Sequence, residues 1–571
     1  MHISLPFGRV AAVTACILLS ACATGGIFNS SAAVAKPDPA LGAFLAARYA
    51  ESIGDSDSAA RFYTMALKAD PQSQTLVEDG FLASLLAGNN EAVGLAPRLS
   101  DNALATLTLG NQAVLAGHYK TATGFFKTLP NDELTTLIQP LLLAWVEFGQ
   151  GRAPRAQAIL QPAFNNGPFA GVYVLNAALI ADAAGETKQA AQLYSTIPVV
   201  SLNLRVAQIL ASWYARQGDK ARADLVLEAL AVAHPDLRLA LPQLRAQMYK
   251  PVVATPAQGM AEAYLTMAAS LSQPQALFLR TVFLRFALSL RPDLSAARLI
   301  LANSLLDSAD QNNKPTVIQI KNALDLLAPV LPEDPLYSAV VMDEASLQAQ
   351  LGKPDAAVAL VNRLIINHPD DPGLLAVAGD IRRDAGQCNQ ALPYYQKAIA
   401  LLGASPPKDA WSLFFNRGIC EDEQGNWTAA ELDILQALKL SPNQPYLLNY
   451  LAYRWAEQDK NLDQAQKMLL RAVSLDPNDG AVLDSLGFVE LKLKNTQQAI
   501  LLLTAAVQLA PNSPEVNAHL GDAFSQAGQN LQAIYQWDRA LSLKPDEKLK
   551  AGLTVQVRQA IEMMNRAQMT H

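Results

Sequence analysis

The C-terminal stretch from Gly480 to Asp546 contains the same pattern of small and large residues twice. The pair Leu486-Gly487 recurs 34 residues later as Leu520-Gly521. Two alanines and a proline follow at matching distances in each copy: Ala499, Ala506 and Pro511 in the first, and Ala533, Ala540 and Pro545 in the second. Glycine and alanine at fixed places allow the helices of a hairpin to approach closely, and a proline ends the second helix. The repeat therefore predicts stacked helical hairpins that share one continuous core.

A 34-residue period of this kind resembles the tetratricopeptide repeat (TPR), in which each unit is one pair of helices. The second copy fills nearly every place of that signature, with Phe524 and Trp537 as its large residues. The same register of small residues extends toward the N-terminus, where the copies become degenerate. We therefore predict an all-α fold, a right-handed α-solenoid of about fourteen TPR hairpins with a C-terminal capping helix.

The repeat register divides the chain into two arms. Residues 40–237 hold about six units and form the predicted N-terminal arm, whereas residues 261–547 hold about eight and form the C-terminal arm. Between them, residues 238–260 contain three prolines, a density that does not continue a helix. We interpret this segment as a joint between the arms, and a helix with a linker left from a lost repeat is an equal alternative. Residues 548–571 are predicted to cap the array.

The N-terminus carries the pattern of an export signal. Arg9 precedes an apolar run from Val10 to Leu19, and the run ends in the tetrapeptide Leu-Ser-Ala-Cys, whose cysteine is Cys22. This tetrapeptide resembles the lipobox of bacterial lipoproteins. The resemblance implies that residues 1–21 are a signal peptide, that Cys22 receives lipid, and that residues 22–39 form a flexible tether. The alternative is an ordinary secretory signal with an incidental cysteine.

The residue after the lipobox cysteine also carries information on location. It is Ala23 and not aspartate, which by the usual sorting rule for Gram-negative lipoproteins implies the outer membrane, with the protein facing the periplasm. No other run reaches the roughly 18 apolar residues that a membrane span needs. We therefore expect a chain that is anchored to a membrane and does not cross it.

Composition and motifs argue against several classes of function. The net charge is −7 and no Lys/Arg stripe is present, so nucleic acid is not an expected partner. Hydrophobic residues make up 51% and charged residues only 17%, which is typical of a packed protein. The sequence lacks a His-Glu-x-x-His motif, a Gly-rich phosphate loop and a Gly-x-Ser-x-Gly motif. We therefore predict a non-enzyme with no catalytic residues, metal site, cofactor or small-molecule substrate.

Two cysteines remain once Cys16 leaves with the signal and Cys22 takes lipid. Cys388 falls at the predicted turn between the two helices of its unit, and Cys420 falls late in the first helix of the next unit. Exported proteins meet an oxidising compartment in many bacteria. Our hypothesis is a disulfide that links adjacent hairpins, and the alternative is two buried thiols that act as small hydrophobic groups.

The C-terminal third resembles more closely a proteobacterial family of TPR lipoproteins. Some members of that family are outer-membrane adaptors that bind a periplasmic carboxyl-terminal processing protease and present cell-wall hydrolases to it, so the resemblance implies a similar role. The sequence departs from the family at Ala452, usually glycine, and at Phe488, usually tryptophan. The resemblance rests on four runs: Leu448 to Tyr453, Asp484 to Phe488, His519 to Asp522, and Gln536 to Leu541.

TPR proteins bind peptides or protein surfaces along a concave groove that the first helix of each hairpin lines. Aromatic rings beside amides and carboxylates suit protein recognition there. The alternative is that half of these tyrosines only pack between repeats. The lysine and asparagine set with which some TPR proteins clamp a C-terminal carboxylate is not seen at these places. The predicted partner-binding residues are Phe415, Asp422, Tyr446, Asn449, Tyr450, Tyr453, Asp484, Phe488, His519 and Asp522.

Two functions are compatible with these features. The first is a non-enzymatic, membrane-anchored periplasmic scaffold or adaptor that recruits a processing protease and cell-wall hydrolases through the concave surface. The second is a component of an envelope transport or polysaccharide-export assembly, in which long TPR arrays also occur. Under both hypotheses the expected partners are proteins or peptides of the cell envelope, together with the membrane through the lipid anchor.

Overall fold

The structure is a computed structural model, and it describes residues 39–165, 167–198, 203–271, 273–307 and 314–569. Within these ranges every regular element is a helix, and no strand occurs. The predicted signal peptide, the lipidation site Cys22 and the tether up to residue 38 lie outside the described residues. Of the helices in these ranges, none has the length and apolar character that crossing a membrane requires.

Six helical hairpins form the N-terminal arm. The two helices of each hairpin are joined by a three-residue turn, which uses the left-handed conformation that glycine adopts without strain, as at Gly54 (φ 74°). Their twelve helices are α1 (Pro39–Ser52), α2 (Ser56–Ala69), α3 (Gln74–Ala87), α4 (Glu91–Leu95), α5 (Ala103–Leu115), α6 (Tyr119–Lys127), α7 (Glu133–Gly149), α8 (Ala153–Leu160), α9 (Ala170–Ala183), α10 (Thr187–Ser195), α11 (Leu204–Arg216) and α12 (Lys220–Ala233).

A short segment follows the sixth hairpin. It contains a 3₁₀ helix, Pro235–Ala240, and one brief α-helix, α13 (Leu241–Gln247). Both pack against α12, and no complete hairpin forms. The segment predicted as a joint, residues 238–260, therefore consists of the end of the 3₁₀ helix, α13, an irregular linker and the first turn of the next helix.

Eight further hairpins follow, and a terminal helix packs on the last of them. Their helices are α14 (Pro256–Ser270), α15 (Leu277–Leu290), α16 (Ser295–Asp307), α17 (Val317–Leu327), α18 (Tyr337–Gln350), α19 (Pro354–Asn367), α20 (Pro372–Asp384), α21 (Cys388–Leu402), α22 (Trp411–Glu423), α23 (Trp427–Leu440), α24 (Pro445–Glu457), α25 (Leu462–Leu475), α26 (Gly480–Lys492), α27 (Thr496–Leu509), α28 (Pro514–Gln526), α29 (Asn530–Ser542) and the terminal α30 (Glu547–Met569). An all-helical solenoid of fourteen hairpins with a capping helix confirms the predicted fold class.

The hairpins close through a small residue that faces a large one. A Cβ atom placed on Gly521 would lie 2.4 Å from the Trp537 ring, sixteen residues further along the chain. At the corresponding place in another hairpin, a Cβ on Gly379 would lie 2.5 Å from the ring of Tyr395. Such distances are far below van der Waals contact, so these positions require glycine. The signature residues of the repeat are thus packing residues, as their spacing predicts.

The concave face of the N-terminal arm is filled by the chain itself. Helix α14 packs against α5, α7 and α9, which are the first helices of three successive hairpins, and α15 packs against α3 and α5. All ten residues from Gly259 to Ala268 are buried. On the opposite side, the Asn322 side chain of α17 donates a hydrogen bond to the Gly54 carbonyl (3.3 Å), so the start of the first arm meets the second.

This placement of α14 differs from the expectation that the second arm simply restarts at about residue 261. Specific contacts hold the helix inside the first arm. A Cβ on Gly259 would lie 2.3 Å from the ring of Trp145, so the glycine lets the two helices meet. The hydroxyl of Tyr264 donates a hydrogen bond to Asn111 Oδ1 (3.2 Å). One hydrophobic core therefore joins the first arm to α14, α15 and α16.

A buried ion-pair network also ties α14 to both arms. Glu262 on α14 has no exposed surface and accepts hydrogen bonds from two arginines. Arg205 of α11 donates from Nε (2.8 Å) and Nη2, and Arg291 donates from Nη1 (3.2 Å). Because a buried carboxylate is tolerated only with such partners, this triad specifies where α14 lies in the first arm.

Candidate partner-binding groove

The concave face of the second arm is lined by α20, α22, α24, α26 and α28, the first helices of its last hairpins. Their main contacts are with their own hairpin partners and with the neighbouring hairpins. No helix in the described part of the chain packs across this face in the way that α14 fills the first arm. We call this open face the C-terminal groove.

A cavity of about 950 Å³ lies where the C-terminal groove meets the first arm. Its wall is mainly apolar and includes Leu299 of α16, Met342 of α18 and Val377 of α20. Leu237 and Leu239 of the 3₁₀ helix close the side toward the first arm. Sequence patterns did not indicate this cavity, because the segment that closes it carries no repeat signature.

Four aromatic rings form a continuous patch on α22 and α24, which we call the first aromatic cluster. The ring of Tyr446 packs edge-on against Trp411 (centroids 5.4 Å apart) and Phe415 (5.3 Å). Tyr450 contacts Phe415 from the other side, with ring centroids 5.5 Å apart. Phe415 is buried, whereas Tyr446 keeps 43% of its surface exposed. Tyr446 is therefore the member of this cluster that a partner can reach most readily.

An ion pair borders the first aromatic cluster. Asp422 accepts hydrogen bonds from the Tyr450 hydroxyl and from Nε and Nη2 of Arg454, all at 2.7 Å. Arg454 also pairs with Glu457 and lies over the Trp427 ring. The hydrogen bond to Asp422, more than any other cause, raises the pKa of Arg454. The predicted groove carboxylate is thus neutralised within the protein, and Arg454 is a groove residue that the sequence reading missed.

A second aromatic cluster lies one hairpin further along, between α24, α26 and α28. The imidazole of His519 stacks on Phe488 (centroids 4.6 Å apart), and Tyr453 contacts Phe488 at 5.4 Å. His519 Nδ1 lies 3.0 Å from both carboxylate oxygens of Asp484. Lys492 Nζ lies 5.3 Å from the Phe488 ring centroid, in cation–π contact. Four of the predicted residues therefore form one unit.

Nearby carboxylates affect the protonation of His519 in the second aromatic cluster. Burial is the largest single influence and acts to lower the pKa of His519, whereas the charge of Asp484 and its hydrogen bond act to raise it. Asp522 and Glu515 contribute in the same sense. The net effect is a pKa of His519 raised above its ordinary value of 6.5. The groove therefore contains a histidine that holds its proton to a higher pH than a free side chain.

Asp522 differs from the residues of the two clusters because it forms its hydrogen bonds with α29 and α30, two helices that do not line the groove. It accepts hydrogen bonds from Trp537 Nε1 (2.9 Å) on α29 and from Gln556 Nε2 (3.0 Å) on α30. Burial raises the pKa of its carboxyl group. Asn449 is also distinct, because its Oδ1 is buried without a hydrogen-bond partner. The structure thus gathers eight of the ten predicted residues into two clusters and leaves these two apart.

The cysteines lie behind the groove. Cys388 is the first residue of α21, and Cys420 lies in α22 of the next hairpin. The structure joins them as a disulfide, with Cα atoms 5.0 Å apart, and both residues are buried. The bond would link the hairpin of α20 and α21 to that of α22 and α23. Whether the bond forms in the cell remains a prediction.

Comparison with known proteins identifies the repeat. Residues 377–445 match the family described as tetratricopeptide repeat. The chain contains tetratricopeptide repeats. A TPR repeat-containing protein of Pseudomonas aeruginosa is 24% identical over 171 residues. That match covers 30% of this chain and 28% of the relative, so the chain spans well under two thirds of the relative's length.

Several solved structures are similar to this chain at low sequence identity and low TM-score. YrrB, described as a TPR protein with an unusual peptide-binding site, is 18% identical over 34% of this chain and 97% of its own, with a TM-score of 0.28. A TPR protein from Parabacteroides merdae is 14% identical over 46% of this chain and 97% of its own (TM-score 0.35). The Cut9-Hcn1 structure is 14% identical over 91% of this chain and 96% of its own (TM-score 0.37).

Proposed function

We propose that this protein is a non-enzymatic scaffold of the bacterial envelope that recruits protein partners through its C-terminal groove. TPR repeats typically serve as protein-binding scaffolds, and one observation favours this part of the array. The concave face of the first arm is occupied by α14, whereas the groove from α20 to α28 is open and carries two aromatic clusters. Aromatic and arginine side chains are enriched at the centres of protein interfaces.

The chemistry of the groove suits a mixed peptide or protein surface. Tyr446, Tyr453 and Phe488 offer apolar contact area, while Asp422 and Asp484 are already paired with Arg454 and His519. A partner would therefore gain mainly from aromatic packing and would add charge contacts at the rim. Following the family resemblance, we propose that the partners include a carboxyl-terminal processing protease and cell-wall hydrolases.

The lipid anchor forms the second half of the proposal. The lipobox at Cys22 supports attachment to a membrane, and Ala23 supports the outer membrane with the array in the periplasm. Anchoring would restrict the scaffold to one surface and raise the local concentration of any bound partners. Substitution of Cys22 by serine tests this part, with membrane fractionation and mass spectrometry of the N-terminal peptide. We expect a lipid-modified peptide in the outer-membrane fraction for the wild type only, and an unmodified Cys22 would refute the anchor.

Affinity capture from cell envelopes tests the groove. The double variant Tyr453→Ala/Phe488→Ala removes the second aromatic cluster, and Tyr535→Ala is the matched control, because that ring is 64% exposed on α29 outside the cluster. We expect the wild type and the control to recover a protease and hydrolases, and the double variant to lose them. Equal recovery by all three would contradict the groove assignment. Recovery of export subunits in place of these enzymes would favour the transport assembly.

A further inference from the structure

A second pocket, which is polar, lies between the first arm and α15 and is separate from the C-terminal groove. Its cavity measures about 300 Å³, and its lining includes Asn89 of the turn between α3 and α4, Asn111 of α5, Arg285 of α15 and Arg298 of α16. Two guanidinium groups line this cavity, and none of its described lining residues is an aspartate or glutamate. The charged groups in the described lining are therefore all cationic.

Arg285 is partly buried and lacks the partners that an arginine removed from water normally has. In the described part of the chain it forms no hydrogen bond and no ion pair within 4 Å, and its Nε atom is buried and unsatisfied. Asp57 contributes a favourable field at longer range. Burial lowers the pKa of Arg285 to about 10, and repulsion from Arg298 adds to this effect. A guanidinium that is partly removed from water without a partner carries a desolvation cost, which an anionic partner would offset.

Two further polar atoms at the same cavity also lack partners. Asn111 is only 2% exposed, and while its Oδ1 accepts the Tyr264 hydrogen bond, its Nδ2 has no acceptor. Asn89 Oδ1 is likewise buried and unpaired. Three unsatisfied atoms around one cavity indicate that it holds a polar occupant. Water molecules are able to satisfy amide donors, but they do not neutralise a guanidinium.

The cavity is shaped around Arg285 and opens to solvent. A Cβ on Gly88 would lie 2.8 Å from Arg285 Nη1, so the glycine leaves the space that the guanidinium crosses. Gly88 and Asn90 at the rim are exposed, which gives a small solute a path inward. Arg298 is held by the carbonyls of Pro292 and Leu326, at 2.9 to 3.1 Å, and supplies a second, fixed positive charge.

We propose that this pocket binds a small oxyanion, such as a phosphate or a carboxylate group, with Arg285 as its main ligand and Asn111 Nδ2 as a second donor. A planar guanidinium donates two parallel hydrogen bonds to either kind of group. The volume accommodates an anion together with a few waters. The site is independent of the C-terminal groove and does not rest on the proposed scaffold function.

Calorimetric titration of the full mature chain tests the proposal, with inorganic phosphate and succinate as probes at constant ionic strength. The test variant is Arg285→Met, and the control is Arg363→Met, an exposed arginine on α19. We expect at least one probe to bind the wild type and the control, and to bind Arg285→Met about tenfold or more weakly. Binding of phosphate alone assigns a phosphoryl ligand, and binding of succinate alone assigns a carboxylate.

Thermal unfolding in buffer without oxyanions gives a second readout. Because Arg285→Met removes a partly buried charge that has no partner, we expect this variant to melt at or above the wild-type temperature. The oxyanion that binds should raise the melting temperature of the wild type and of Arg363→Met, but not that of Arg285→Met. Failure of both probes to bind the wild type would overturn the proposal, as would equal binding by Arg285→Met. If the variant does not fold, ligand NMR of each probe with the wild-type protein, by phosphorus for phosphate and by proton for succinate, still decides whether either anion binds.

Discussion

The two arms are built from the same repeat, but the concave face is covered in the first arm and open in the second. In the first arm the face is closed by α14, which is buried on all sides between Gly259 and Ala268. In the second arm the same face remains open from α20 to α28. The repeat therefore determines the curvature of the solenoid but does not determine whether its groove is available to a partner.

The ion pairs on the two concave faces differ in how far they are exposed to solvent. In the first arm Glu262 is fully buried, and its ion pairs with Arg205 and Arg291 hold α14 in place. In the second arm the pairs of Asp422 with Arg454 and of Asp484 with His519 lie beside half-buried aromatic rings of an open groove. Buried pairs are expected to affect folding most, and partly exposed pairs to affect binding most.

The largest effect is expected from removal of the buried carboxylate in the first arm. Glu262→Ala leaves two buried arginines without their common partner and should cost about 3–5 kcal/mol of folding free energy. Hydrogen exchange should rise in α5, α7, α9 and α14, while the C-terminal groove keeps its partners. The control Glu547→Ala removes a carboxylate that is 89% exposed and should have almost no effect. Unchanged exchange in α14 would show that the ion-pair triad does not hold the helix.

The disulfide is expected to stabilise the second arm only. Replacing Cys388 and Cys420 by alanine should destabilise the hairpins from α20 to α23 by about 2–4 kcal/mol and leave the first arm unaffected. The unfolding midpoint in urea measures the effect, and addition of reductant should reproduce it in the wild type but not in the double variant. Non-reduced peptides with both thiols free would show that the bond is absent.

A milder disturbance of the first arm is expected from Gly259→Ala. The added methyl group meets the Trp145 ring, and the overpacking should cost about 1–3 kcal/mol. The matched control is Gly171→Ala on α9, where a Cβ meets no other atom. Because alanine favours helix, that change should stabilise the protein by about 0.5–1 kcal/mol. Equal thermal shifts in the two variants would contradict the close contact between α14 and α7.

The smallest effect concerns pH and the open groove. Since the folded-state pKa of His519 is raised above 6.5, its interaction with Asp484 stabilises the protein fully below that pH. The contribution is lost as the pH rises through the raised pKa. Asp484→Asn should lower that pKa and remove about 1 kcal/mol of stability at low pH, with Asp522 and Glu515 still facing the ring. An NMR titration of His519 that is identical in the variant would refute the coupling.

The hairpins were predictable because their packing is local. The spacing of Gly521, Ala533 and Ala540 states where two adjacent helices must approach, and Trp537 fills the space that Gly521 leaves. These contacts span fewer than twenty residues, and they recur. A single sequence therefore contains the information for the fold class and for the capping helix.

The closure of the first arm was not predicted, although a signal was present. Residues 256–270 are apolar around nearly the whole helix, which is typical of a helix buried on all sides. The degenerate repeat register at Ala268 suggested an ordinary hairpin in its place. The partner of Gly259 is Trp145, more than a hundred residues away, and no periodic pattern connects the two positions.

The site was predicted as a set of residues but not as an arrangement. Asp484 and His519 were both assigned to the groove, yet their contact depends on the twist between neighbouring hairpins. Arg454 and Trp411 were missed because arginine and tryptophan on a repeat helix are also common as surface and packing residues. Three-dimensional pairing decides which charges of a groove remain free, and that pairing is not visible in repeat spacing.

The position of α14 in the chain also sets the order in which the first arm can fold. The helices of the first arm are complete at Ala233, but the helix that closes their groove ends only at Ser270. Until that later segment is available, the apolar lining of the first arm has no cover within the chain. Exposed apolar surface of this kind is what holding chaperones bind. The first arm thus completes its fold only when a later part of the same polypeptide arrives.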